Sequence, residues 1–251
     1  MVLSMERWNG KVAVVTGASA GIGAAIAEQL VDHGLKVVGL ARRLDRLKEL
    51  EEKFSGKKGS FHGLKADISN TDEIVSTFKT IEEKYGPIHI LVNNAGIVQK
   101  TTIMDGDVEK WKKVFDVNVI GLCCATKEAI GSMRRHNVDG HIVHMNSVAG
   151  HRIPPSTITN VYPASKHAVT ALTESLRHEF SEVGSRIKIT SISPGLTETE
   201  IFEVSGLATS FTDDLPILKT EDIADATIYA LSTPPHVQVH EVTLKPVGAG
   251  P

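Results

Sequence analysis

Seven short apolar runs recur along this chain, and stretches with helical spacing separate most of them. The runs are Val12–Thr16, Lys36–Ala41, Phe61–Ala66, Ile88–Val92, Gly140–Asn146, Ile187–Ser193 and Val239–Leu244. Apolar runs of this length suit strands buried on both faces. Between them, Ile22, Ala25, Ile26 and Leu30 share one helical face. So do Leu44, Leu47, Leu50 and Phe54, and then Ile74, Phe78 and Ile81. Further helices are predicted over Val108–Arg135 and from about Pro163 to Glu182, the proline at a tolerated first-turn position. A last helix runs from Thr220, as N-cap, to near Ser232. Strands that alternate with helices pair in parallel through right-handed crossovers. The expected fold class is α/β, a doubly wound seven-stranded parallel sheet in one domain over 1–251. The irregular segments Ala149–Val161 and Leu196–Lys219 follow strand C-termini, where such sheets bind ligands.

Charge and composition remove several function classes. The net charge is −3 and no long basic run occurs, so neither nucleic acid nor an anionic membrane surface is an expected partner. No segment approaches the roughly 20 apolar residues of a membrane span. The start of the chain is too short and polar for a signal peptide. The two cysteines, Cys123 and Cys124, are adjacent and read as reduced thiols in a helix, which fits a cytoplasmic protein. No metal site is expected.

A glycine-rich loop, Thr16-Gly17-Ala18-Ser19-Ala20-Gly21-Ile22-Gly23, lies between the first strand and the first helix, as a dinucleotide fingerprint requires. Gly17 permits the tight turn, Gly21 lets backbone approach a pyrophosphate, and Gly23 lets the helix pack closely. Ser19, Ala20 and Ile22 complete the candidate cradle. A site for NAD wants a carboxylate near the end of the second strand to hold the ribose 2′-hydroxyl. Here the chain reads Leu40-Ala41-Arg42-Arg43. An acid would repel a 2′-phosphate, whereas arginine binds one by charge-assisted hydrogen bonds, so NADP is the expected cofactor. Asp67, followed by Ile68, sits just after the third strand; it either accepts from the adenine amino group or caps Ile68–Thr71. Asn93, Asn94, Ala95 and Gly96 end the fourth strand, where Gly96 allows a close approach to a ribose or simply makes a turn.

Tyr162 and Lys166 are four apart, so on a helix they share a face. An ammonium beside a phenol favours the phenolate and lowers the tyrosine pKa from about 10, giving a general acid/base for neutral pH.

In this order, the Thr-Gly-x-x-x-Gly-x-Gly loop, Asn-Asn-Ala-Gly, Asn-Ser-x-x-Gly (Asn146 to Gly150), Tyr-x-x-x-Lys and Pro194-Gly195 resemble the classical short-chain dehydrogenase/reductase family, which has the Rossmann fold. The start Met5-Glu6-Arg7-Trp8, Gly150-His151-Arg152 and the run Ala168 to Glu174 look closest to one branch, that of dehydrogenase/reductase family member 11 and insect NADP-dependent farnesol dehydrogenases. The resemblance implies a catalytic tetrad of Asn118, Ser147, Tyr162 and Lys166. Tyr162 would exchange a proton with the substrate oxygen, Ser147 would hold that oxygen, and Lys166 would lower the Tyr162 pKa and bind the nicotinamide ribose. Asn118 would hold a helix kink and a water that relays protons to Lys166. Pro194, Gly195, Thr197 and Thr199 would hold the nicotinamide amide, although the family often has valine or isoleucine where Thr197 stands. Ser147 and Tyr162 are fifteen apart, slightly more than is usual, and the extra length falls in Ile153 to Ile158. Family members commonly pair through the helices at about 108–135 and 163–182, so a homodimer or homotetramer is expected.

Three histidines lie close to these motifs. His167 points about 100° away from Lys166 on the helix and reads as structural. His144 and His151 flank the end of the fifth strand, and His151 is a candidate for lining the pocket. Ile201, Phe202, Val204, Leu207, Phe211, Leu215 and Ile217 make the segment at about 196–219 unusually apolar, either as a lid over a hydrophobic substrate or as a helix with its own small core. No lysine or arginine occurs between Thr197 and Ile217, which argues against a phosphorylated or carboxylate substrate. A lipophilic alcohol or carbonyl is favoured: an isoprenoid such as farnesol/farnesal, or alternatively a ketosteroid or another carbonyl compound. A non-catalytic NADP(H)-binding sensor is the rival from another class, since fold alone does not confer activity.

Overall fold

A computed structural model describes residues 3–155, 159, 161–206 and 215–249, together with the backbone but not the side chain of Phe202. Strands β1 (Val12–Thr16), β2 (Lys36–Ala41), β3 (Ser60–Lys65), β4 (Ile88–Asn93), β5 (His141–Met145), β6 (Lys188–Pro194) and β7 (Glu241–Leu244) form one sheet in the order β3-β2-β1-β4-β5-β6-β7. Every pairing is parallel. The order reverses direction between β1 and β4, which opens a crevice at their C-terminal ends.

Residue alternation explains the two cores. Along β1, Ala13 and Val15 point to one face with α1 (Gly21–Asp32) and α8 (Thr220–Ser232). Val12 and Val14 point to the other, with α3 (Thr71–Tyr85), α5 (Leu122–Arg135) and α6 (Val161–Glu182). β1, β5 and β6 are buried at every position, as strands covered on both faces must be; β7 lies at the edge and none of its residues is fully buried. α2 (Leu44–Lys53) covers β3.

Helix boundaries follow local chemistry. The Asn70 side chain accepts from the N–H groups of Asp72 and Glu73 to start α3. Thr220 proves to be the first residue of α8 and not its cap; Lys219 precedes it, and the Lys219 N–H donates to the Asp222 carboxylate at 2.8 Å. The helix expected over Val108–Arg135 is in three pieces: α4 (Val108–Phe115), a π-helical segment (Asp116–Gly121) and α5. The chain start packs on α8: the Trp8 indole N–H donates to Leu231 O at 2.9 Å, and the Arg7 guanidinium lies over the indole ring. No helix among the described residues is long and apolar enough to cross a membrane.

Candidate active site

Sterics shape the glycine loop between β1 and α1. Gly17 has φ +67°, and a Cβ there would sit 2.9 Å from Ala95 Cα. A Cβ on Gly23 would sit 2.4 Å from both the Asn94 amide nitrogen and Gly17 O. Either change would push α1 or β4 off the loop. At Gly21, φ is +56° and the nearest side chain is Thr199, 3.4 Å from the Cβ position. The loop is thus packed tightly against the end of β4 and leads into the N-terminus of α1, which suits a pyrophosphate at a helix N-terminus. Asn94 braces it from below: its amide donates to Thr16 O at 2.9 Å and Gly17 O at 3.2 Å. The N–H groups of Asn94 and Ala95 both donate to Thr16 Oγ1 at 3.0 Å. The Asn94 side chain therefore serves the loop, and Thr16, the first residue of the loop motif, anchors it through its hydroxyl.

At the end of β2 the two arginines diverge. Arg42 is exposed. Arg43 faces the loop, with Nη2 donating to Ser19 Oγ at 3.3 Å and Nη1 lying 3.1 Å from Glu200 Oε2. Arg46, one helical turn on, lies 2.7 Å from Glu200 Oε1. Neither Arg46 nor Glu200 was marked by any motif; only folding brings positions this far apart together. Asp67 takes its capping role, accepting from Ser69 N and Oγ at 2.9 and 2.7 Å. Burial pushes its carboxyl up, but the Ser69 hydrogen bonds and the Arg42 and Lys113 charges outweigh this and leave it below its ordinary value.

Tyr162 and Lys166 occupy the first turns of α6, beside the C-terminal end of β5. Ser147, in extended conformation just past β5, hydrogen-bonds the Tyr162 hydroxyl, and Ser147 Oγ also accepts from Ala149 N at 3.1 Å. Lys166 is 5% exposed; its Nζ donates to Met145 O at 2.8 Å and lies 5.7 Å from the Tyr162 ring centroid. This geometry corrects one expectation. Burial raises the Tyr162 phenol above its ordinary value, and the bond from Ser147, not the ammonium, offsets part of the rise. Lys166 is directed to the Met145 carbonyl, and its own pKa is lowered by burial to about 8.

Asn118 lies in the π-helical segment, buried. Its Oδ1 accepts from Ile97 N at 2.8 Å, and its Nδ2 donates to Ile97 O and Ser165 Oγ, both at 3.0 Å. Ser165 Oγ donates in turn to Tyr162 O at 2.7 Å. Ser165, which sequence reading left without a role, thus joins Asn118 to the turn that carries Tyr162. A Cβ on Gly96 would sit 3.6 Å from Asn118 Oδ1 and 3.8 Å from Lys166 Nζ, so the end of β4 closes the same cluster.

The segment after β6 spans from this cluster to the loop. Pro194 O faces Ser147 Oγ at 3.5 Å, Gly195 N donates to Leu244 O, and Thr197 is paired with Leu218. Thr199 then meets Gly21, before the short α7 (Ile201–Val204). Among the described residues of this segment Val204, Leu215 and Ile217 are exposed, as is Ile153 after β5. Leu207, Phe211 and residues 156–158 lie outside the described residues. His151 is directed to the β7 edge instead: its Nε2 lies 2.6 Å from Glu241 Oε1. His167 Nδ1 lies 2.9 Å from Pro163 O, consistent with a structural role.

Behind the site runs a buried polar chain. Thr173 Oγ1 donates to Val169 O, so it accepts from His144 Nδ1–H at 2.8 Å. His144 Nε2 must then accept from Thr126 Oγ1 at 3.2 Å, and Thr126 accepts from the Asn93 amide at 2.8 Å. The chain fixes one tautomer and joins β4, α5, β5 and α6. Burial holds the His144 pKa down to about 3.

A glycine loop at the crevice of a doubly wound sheet, with a serine, tyrosine and lysine at its strand ends, defines a dinucleotide-dependent oxidoreductase. The family model for short chain dehydrogenases matches residues 11–208, and the chain belongs to this family. It is 49% identical over 246 residues to a farnesol dehydrogenase of Aedes aegypti, covering 97% of this chain and 99% of that one. It is 45% identical over 250 residues to dehydrogenase/reductase SDR family member 11 of Mus musculus, covering 96% of both chains. Among solved structures, the alcohol dehydrogenase of the archaeon Thermococcus sibiricus complexed with 5-hydroxy-NADP superimposes with a TM-score of 0.85 at 26% identity, covering 97% of this chain and 99% of that one.

Proposed function

We propose that this protein interconverts a lipophilic alcohol and its aldehyde or ketone with NADP(H), farnesol/farnesal being the favoured pair. The observation that carries this reading is the meeting of Ser147, Tyr162 and Lys166 beside Gly96, on the same sheet as a glycine loop that leads into a helix N-terminus. The loop fits a pyrophosphate, for the reasons its glycines give, and Arg43 with Ser19 fits a 2′-phosphate. Thr197 and Thr199 stand where the segment crosses from the Ser147 cluster to the loop. The nicotinamide, when bound, supplies or takes the hydride.

The chain's own groups handle the proton. Tyr162 gives its hydroxyl proton to the carbonyl oxygen in reduction and takes it back in oxidation. Ser147 donates to the same oxygen and stabilises its developing charge. Lys166 brings a positive charge beneath the ring of Tyr162, and Asn118 holds the π-helical turn and the strand end that frame it. The exposed apolar side chains of Ile153, Val204, Leu215 and Ile217, with no lysine or arginine between Thr197 and Ile217, favour a lipophilic substrate. The 49% identity to a farnesol dehydrogenase supports the isoprenoid assignment. Absorbance of NADPH during reduction of farnesal, with NADH in parallel, tests both halves. Fast turnover that prefers NADPH is expected. Turnover of steroid or quinone carbonyls instead would replace the substrate, and cofactor binding with no turnover on a wide carbonyl panel would replace the enzyme with a sensor. In the cell, the homodimer or homotetramer that other members form through the equivalents of α4–α5 and α6 is the assembly proposed here.

A further inference from the structure

Glu200 stands where two functional surfaces meet. It directly follows Thr199, which touches the glycine loop, and it precedes α7 of the apolar rim. Its carboxylate nevertheless reaches the far end of the cofactor crevice, lying 3.1 Å from Arg43 and 2.7 Å from Arg46. The other arm of Arg43 is on Ser19 Oγ. A guanidinium and a hydroxyl side by side, next to a helix N-terminus, make a phosphate site. The anion against that guanidinium in this structure is the chain's own carboxylate. The Arg46 and Arg43 hydrogen bonds hold the Glu200 carboxyl below its ordinary value, so it is ionised at neutral pH. A phosphate dianion arriving at Ser19 and Arg43 would meet that negative charge on the same guanidinium, and two anions sharing one cation repel. Arg46 leaves the carboxylate a partner when Arg43 departs.

We propose that Glu200 is a built-in stand-in for the cofactor's 2′-phosphate, holding Arg43 in the free protein and yielding it when NADP(H) binds, an inference that rests on the NADP(H) reading above. Binding then unfastens one of the two ties between the start of α2, with the Arg43 that precedes it, and the segment that carries Thr197, Thr199 and α7. Departure of the cofactor restores it. A cofactor lacking the 2′-phosphate leaves both ties in place. Glu200 therefore weakens 2′-phosphate binding while coupling it to the rim of the substrate pocket.

Calorimetric titration of the full-length protein with 2′,5′-ADP and with 5′-ADP isolates the 2′-phosphate from the nicotinamide. Wild type should prefer 2′,5′-ADP. Glu200→Gln should bind 2′,5′-ADP about three- to fivefold more tightly, the size expected of a half-exposed ion pair, with 5′-ADP affinity unchanged as the control for folding. Amide exchange over 196–206 should quicken in wild type on adding 2′,5′-ADP and not on adding 5′-ADP. A wild-type preference for 2′,5′-ADP that Glu200→Gln leaves equal or reduced would overturn the stand-in role alone. Absence of any wild-type preference would overturn it together with the NADP(H) assignment.

Discussion

Arg42 and Arg43 are neighbours in sequence, yet only Arg43 turns toward the glycine loop, and that difference is measurable. Hydrogen bonds to charged groups contribute about 1.5–3 kcal/mol each, so Arg43→Ala should raise the NADPH KM by roughly tenfold or more. Arg42→Ala, removing an exposed side chain whose charge acts on Asp67, should change it less than about twofold. Initial rates at varied NADPH decide between them. The hydroxyl of Tyr162 is the group placed to exchange a proton, so Tyr162→Phe should lower kcat by about 100- to 10,000-fold while NADPH binding, followed by fluorescence, persists. Sequence spacing pointed to Tyr162, Lys166 and the loop glycines, because helical periodicity and steric need are written locally; Ser147 came only with the family resemblance. Spacing was not enough to assign the phenol's pKa, which depends on burial and on which carbonyl the lysine reaches. Nor could it separate Arg42 from Arg43, since the turn into α2 sets their directions.

At the scale of elements, the π-helical segment between α4 and α5 is held open by one side chain. Asn118 satisfies both the N–H and the C=O of Ile97, and Ser165 besides, in a place with little access to water. Asn118→Ala would leave these groups unpaired at a cost of about 1–3 kcal/mol for a buried polar group. Urea denaturation should show that loss, and activity should fall further than stability alone explains because Gly96 lies against both Asn118 and Lys166. The apolar spacing over 108–135 reads as one continuous helix because a π-helical turn displaces the periodicity by only one residue. The asparagine and a kink at it were implied by the family resemblance, and the π-helical form of that break came only from the backbone. His144 shows the same limit: its sequence position suggested a neighbour of the site, and the structure makes it the neutral centre of a chain joining two helices to two strands. With a pKa near 3, its ring should remain neutral by NMR from pH 8 down to pH 5.

Across the whole molecule, the order of strands and helices was legible because burial on both faces leaves an apolar run for each strand, and because parallel pairing demands crossovers. What the runs do not encode is which buried cations the closed structure tolerates, and this sets how stability depends on pH. Lys188 begins β6 with its ammonium donating to Thr233 Oγ1, Pro234 O and Val237 O, thereby tying the sheet to the turn after α8. Burial, with a smaller push from Arg7, lowers its pKa to about 8. Unfolded, it would titrate near 10.4. Between those values the unfolded chain binds more protons than the folded one, so this lysine makes stability rise with pH, by at most about 1.4 kcal/mol per pH unit. Lys166 acts in the same direction, also from about pH 8. Cys123 and Cys124 oppose them, because burial raises both thiols and the unfolded chain therefore loses those protons first. The sum is a shallow curve, but the difference between wild type and Lys188→Met isolates one group. Lys188→Met should be less stable at pH 8, having left three acceptors without their donor, and the gap should widen steadily up to pH 10 as only the wild type gains from deprotonation. Guanidinium denaturation of both proteins at half-unit steps would show it. A gap that stays constant across the window would mean that Lys188 titrates in the folded protein as it does in the unfolded chain.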